Sequence, residues 1–158
     1  MSRVDDALHE TAARLLAENR YAVLATADDA GAPWASPVWF AHGGLTTIVW
    51  VSSPDARHSR ALAADPRIAV TVFDSSVVPN HGSAFYGRGT AVICQDADLP
   101  EHLKTFNAES DRQGLAPWSV ERVTGPARLR LYVATLVEVS LLLDDGGPDV
   151  RVPVDLDA

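Results

Sequence analysis

The stretch from Trp34 to His58, WASPVWFAHGGLTTIVWVSSPDARH, decides the fold. Two runs rich in aromatic and β-branched residues, Trp34 to Phe40 and Leu45 to Val51, flank a break at His42-Gly43-Gly44. A break this short joins antiparallel strands, because a parallel pair needs a crossover of a dozen or more residues. The second run stops at Ser52-Ser53-Pro54-Asp55. Ser53 suits a helix N-cap, Pro54 the first helical position and Asp55 the positive helix end, so a short helix is expected through Leu62. It ends before Asp65-Pro66, because proline disfavours helical geometry in the residue ahead of it.

Working outward, Tyr21 to Thr26 has the strand period of two and is joined to Trp34 by the turn-rich Asp28 to Pro33, a hairpin. Upstream, Val4, Leu8, Ala12, Leu15 and Leu16 recur at helical spacing, with Ser2 in a capping position three residues before Asp5, which predicts an amphipathic helix ending near Asn19. Downstream, Ile68 to Phe73 and Ser83 to Ile93 read as a fourth and a fifth strand, with Gly82, Gly87 and Gly89 marking bends or bulges. Leu99, Leu103 and Phe106 suggest a helix, and Ser110 to Gly125 reads as irregular with one short turn. Leu129 to Leu143, nearly all apolar, predicts a long final strand, with Val150 to Val154 as an edge addition. Short antiparallel connections with helices only at the periphery predict a mainly β protein, a closed or partly closed barrel that hides its strand edges. The expected organisation is one domain over 1–158: a helix over 1–19, a barrel over 20–143 and an acidic segment over 144–158. The interior of so small a barrel is filled by side chains, so a sizeable ligand has to bind at its rim or between two copies, and a dimer is expected.

Composition narrows the function. A net charge of −8 and a pI near 4.9 repel nucleic acid and anionic membrane surfaces, so neither is an expected partner. The acids Asp144, Asp145, Asp149, Asp155 and Asp157, against Arg151, read as a solvated segment. The single Cys94 has no internal disulfide partner, and no run approaches the roughly 18 apolar residues of a membrane span. Met1 to Glu10 carries three acids and no apolar run, unlike a secretory signal, so a soluble cytoplasmic protein is expected.

The chemistry-bearing feature is the strand end followed by Ser52 to Arg60. A helix N-terminus offers unpaired amides and a positive dipole end, to which serine hydroxyls and Arg57 add donors, a set that suits a phosphate. A capped surface helix with solvated charges fits the same residues. The order of helix, hairpin, the strands Trp34 to Phe40 and Leu45 to Val51, Ser52-Ser53, Arg57-His58, Asp65-Pro66-Arg67-Ile68-Ala69-Val70 and Tyr86-Gly87-Arg88-Gly89-Thr90-Ala91 resembles the pyridoxamine 5'-phosphate oxidase-like proteins over roughly residues 8 to 93. The resemblance implies a six-stranded antiparallel split β-barrel with FMN at a homodimer interface. It implies that Ser36, Pro37, Val38 and Trp39 lie along the strand that meets the ring system, with Val51 and Ser52 at the next strand's end. Arg57 and His58 would hold the phosphate. The family often carries lysine at the His58 position, and a free histidine is largely uncharged near neutral pH. Arg60 would compensate.

Two departures bear on the substrate. Where pyridoxamine phosphate oxidases of the family carry a lysine after the flavin-binding strand, this chain has Ala41. Where they carry Arg-x-His near the C-terminus, it has Arg151-Val152-Pro153. The expectation is therefore an FMN-dependent oxidoreductase passing hydride between flavin and an unidentified small molecule, and not a true pyridoxamine phosphate oxidase. The alternatives are a non-catalytic flavin or haem carrier, and a deazaflavin-dependent reductase drawing on Arg57, Arg60 and Arg88. Trp34, Trp39, Trp50 and Trp118 offer flat surfaces to a planar ring or to the core. His9, His42, His58, His81 and His102 show no metal-ligand spacing, and His81 sits in a loop that would cover a ligand or simply face solvent. Cys94 reads as an inert buried thiol.

Overall fold

The computed structural model describes residues 3–144 and 148–157, so the capping role expected of Ser2 and the charge of Asp145 lie outside the described residues. Helix α1 spans Arg3–Glu18 and buries Leu8, Ala12, Leu15 and Leu16, the stripe its spacing predicts. The hairpin follows as β1 (Tyr21–Ala27) and β2 (Pro33–Trp39), paired in register from Tyr21 opposite Trp39 to Ala27 opposite Pro33. The break at His42 is itself a short strand, β3 (Ala41–Gly43), paired with β4 (Thr47–Ser52). Gly44, at φ +67°, turns between them in the left-handed region that favours glycine.

Helix α2 spans Arg57–Ala64 with Ala56 as N-cap, later than the sequence predicts. Ser53 instead folds a turn ahead of the helix: its Oγ accepts from the Asp55 amide at 3.1 Å and its carbonyl from the Ala56 amide at 3.0 Å. Strands β5 (Arg67–Phe73) and β6 (Ala84–Ile93) pair antiparallel, as do β6 and the long β7 (Arg130–Leu142). Between β6 and β7 lie α3 (Leu99–Arg112), which extends past the expected irregular boundary at Ser110, and a 3-10 turn at Val120–Arg122. The edge strand β8 (Arg151–Val154) pairs with β7.

Eight strands are present among the described residues: the six expected of the barrel, the expected edge addition as β8, and the short turn-strand β3, which the sequence reading took for a break. The sheet order is β2-β1-β5-β6-β7-β4-β3, with β8 also on β7. Its two edges, β2 and β3, are consecutive in sequence and joined only through Phe40, and β2 meets β4 without a ladder, which leaves the barrel split along that seam. The interior holds Leu24, Phe40, Ile48, Trp50, Val70, Phe85 and Leu136, with Leu16 of α1 and Leu62 of α2 packed into it. Each such side chain contributes roughly 1.5–3 kcal/mol through burial. A second apolar cluster, including Val49, Leu103, Phe106 and Leu131, packs α3 against the outer face of β3, β4 and β7.

Candidate functional site

The split seam between β2 and β4, closed at one end by α2, gathers most of the residues singled out in the sequence. Strand alternation divides them between two faces. Ser36 and Val38 are buried on the same side as Phe40, and Ser52 follows Ile48 and Trp50 on β4, so these point inward. Trp39 and Val51 lie on the opposite face, half-buried against the α3 cluster, and Pro37 is exposed on that face.

Trp39 is fixed from two directions. Its ring meets Phe106 edge-on at 4.8 Å between centroids, and its Nε1 donates to Oε1 of Gln113 at 3.0 Å. Gln113 donates in turn to Glu109, whose carboxylate is paired with Arg112 at 2.5 Å. Arg112 reaches back to the Ala17 carbonyl at 2.7 Å, tying α3 to the end of α1.

At the α2 end, His58 is buried and its Nε2 is hydrogen-bonded to Ser52 Oγ at 2.8 Å. Burial lowers the His58 pKa below its ordinary 6.5, so the ring is neutral at pH 7 and acts as a hydrogen-bonding group. Arg57, the first residue of α2, is exposed and lays its guanidinium over the Trp34 ring, 3.9 Å from the centroid. Among the described residues no carboxylate pairs with it. Ala56 carries no side-chain oxygen to bond the first-turn amides of α2, so that helix end keeps free donors beside Arg57. Arg60 folds back onto the Asp55 carbonyl and is not drawn to Arg57 or His58.

Two arrangements escaped the sequence reading. Trp34, read there as a flat surface for a planar ring or the core, supports Arg57, a contact formed only when β2 and α2 meet across the barrel end. Arg130 stands opposite Ser52 in the β4–β7 ladder and donates to the carbonyls of Ala127 at 2.5 Å and Gly125 at 2.9 Å. Neither has a local signal in the sequence. Away from the site, burial together with Asp98 and Asp96 pushes the Cys94 thiol up to about 11, which keeps it protonated and unreactive at neutral pH. Among the described residues no three His, Cys, Asp or Glu side chains gather as metal ligands, and no helix is long and apolar enough to cross a membrane.

Comparison with known proteins bears on the fold and the family. A search of curated proteins gives no significant match. Among solved structures, a heme binding protein from Mycobacterium smegmatis superposes with a TM-score of 0.67 at 21% identity, covering 90% of this chain and 55% of the other. The chain thus spans about half the length of that protein. The heme storage protein HutZ from Vibrio cholerae gives a TM-score of 0.64 at 17% identity, covering 86% of this chain and 94% of the other. An F420 reductase gives 0.57 at 23% identity, covering 80% and 94%. At these identities the likeness is one of fold. The sequence model of the pyridoxamine 5'-phosphate oxidase family matches residues 8–143, from within α1 to the end of β7, and the chain belongs to that family.

Proposed function

We propose that the chain is an FMN-dependent oxidoreductase that works as a homodimer, with the flavin at the dimer interface. The observation that carries the reading is Arg57: an exposed guanidinium without a carboxylate partner, steadied by Trp34, beside the uncapped first turn of α2. Such a corner suits a phosphate dianion, because charge-assisted donors and a positive helix end converge on it. His58, neutral and bonded to Ser52, braces that corner from inside. Along the β2–β4 seam, Pro37, Trp39 and Val51 on the outer face are the side chains that would meet the ring system, with Ser36 and Val38 behind them on the inner face and Arg60 at the margin. The chemistry that a bound flavin supplies is hydride exchange with a small molecule, while the protein binds, orients and excludes water.

Vitamin B6 oxidation is the less favoured substrate assignment within this reading. Ala41, at the position of the family's lysine, is fully buried against α3, and Arg151 stacks over Tyr86 at 4.2 Å. A deazaflavin with an acidic tail would call for more free cations than the site offers: Arg88 is paired with Glu138 at 2.5 Å and Arg60 with a backbone carbonyl. A haem carrier needs an open imidazole, and at this site Nε2 of His58 is already bonded.

The test is retention of chromophore by freshly purified protein, followed by titration of FMN and riboflavin into wild type and Arg57→Ala. Loss of a charge-assisted phosphate contact should weaken FMN roughly 10- to 100-fold and leave riboflavin nearly unchanged. Equal losses for both ligands would reject the placement of the phosphate.

A further inference from the structure

A cavity of about 370 Å³ lies on the flank of α2 opposite Arg57, between that helix and the adjoining ends of β6 and β7. Ser59, Leu62 and Ala63, at i, i+3 and i+4, form the helix face that lines it, while Arg57 projects from the other side towards Trp34. Ala91, Ile93 and Tyr132 supply the facing wall. The volume falls within the range of small-molecule pockets.

Two features of the lining specify what it would hold. Ser59 is 3% exposed, and its Oγ has no hydrogen-bond partner among the described residues. An unpaired buried hydroxyl is unfavourable and is ordinarily matched by a protein group, a water or a ligand. Among the described residues no charged side chain lines the cavity; besides Ser59, its polar side chains are those of Gln95 and Tyr132. With no countercharge in the lining, the site favours a neutral molecule over an ion, which would give up part of its hydration there uncompensated.

We propose that this cavity is a binding site for a neutral, largely apolar small molecule carrying one hydroxyl or carbonyl oxygen, which is hydrogen-bonded by Ser59. The site is independent of the flavin reading, since it uses none of the residues assigned to the phosphate or the ring.

The probe is 2-naphthol, titrated calorimetrically into the full chain, with naphthalene-2-sulfonate as the charged counterpart. One equivalent of 2-naphthol should bind, at least ten-fold tighter than the sulfonate, with or without saturating FMN. Ser59→Ala should weaken it about 3- to 10-fold, the size of one neutral hydrogen bond, while the variant keeps its melting temperature. Ala63→Phe, which adds a ring at an exposed lining position of α2, should abolish binding. Absence of binding at millimolar probe would mean that Ser59 is satisfied by water alone and would overturn the proposal. So would equal affinity for the sulfonate, indifference to both substitutions, or competition by FMN.

Discussion

At the scale of single residues, His58 gives the clearest pH signature. Its folded-state pKa lies below the ordinary 6.5 because burial disfavours the charged ring. As pH falls through about 6.5 the unfolded chain takes up the proton first, so stability drops from there down to the folded value, below which the loss is complete. His58→Gln should flatten the urea-unfolding profile between pH 7 and 5, and an unchanged slope in the variant would show that the ring titrates freely. The carboxylates act in a different window. Asp65, held by Arg67 at about 2 against an ordinary 3.8, contributes stability that is lost only at still lower pH. A further residue-scale prediction concerns Trp34: Trp34→Ala should lower FMN affinity by a few-fold, the worth of an exposed cation–π support of about 0.5–1 kcal/mol, and unchanged affinity would assign the ring no part in holding Arg57. The sequence made Arg57 and His58 visible as a pair after a strand end. Ser52 was legible in the same local stretch, but its bond to His58 and the stacking of Arg57 on Trp34 became visible only with the fold, the latter because it joins β2 and α2, which no local pattern relates.

At the scale of elements, most of the strands were legible, and the reason is plain in β7. Its alternation of Val133, Thr135, Val137 and Val139 within a long apolar run has no helical period, and it pairs with β6 and β4 as such a strand should. What the sequence hid were elements whose residues also favour turns. His42-Gly43 reads as a break yet forms β3, because Ile48 and Thr47 stand opposite to pair with it. Ser53-Pro54-Asp55 reads as a helix start yet forms a turn, because Ser53 bonds the amides just after it. The glycines of β6 were legible as irregularities, but their unequal roles were not. The register shifts between Arg88 and Gly89, and a Cβ on Gly89 would lie 1.9 Å from the Thr135 carbonyl oxygen, backbone that cannot yield cheaply. A Cβ on Gly87 would meet the end of the flexible Leu136 side chain at 2.4 Å. Gly89→Ala should therefore cost at or above the upper end of the roughly 1–3 kcal/mol typical of overpacking, and Gly87→Ala less. Thermal melts that rank the two variants the other way would contradict the bulge geometry.

At the scale of the whole molecule, the outer face of β1, β5 and part of β7 has no covering helix among the described residues, and Ala25, Ala69 and Val137 are exposed on it. The homodimer reading requires that flavin affinity and melting temperature both fall on dilution through the dimer dissociation constant, as mass action demands of a ligand held between two copies. A monomer with undiminished flavin affinity would remove the interface from the reading. Nothing in the sequence alone showed which face stays bare, since that depends on where α3 folds back. One edge of β7 is shared: β4 takes its first half, Thr135 back to Arg130, and β8 takes Val139 to Leu142. The last short strand therefore serves as a guard rail. Cut the chain ahead of Arg151 and four residues of apolar β7 present raw amides and carbonyls to any passing strand, the kind of unpaired edge on which chains stack into aggregates. The few residues that look most dispensable are those that keep the barrel from becoming a template for its own precipitation.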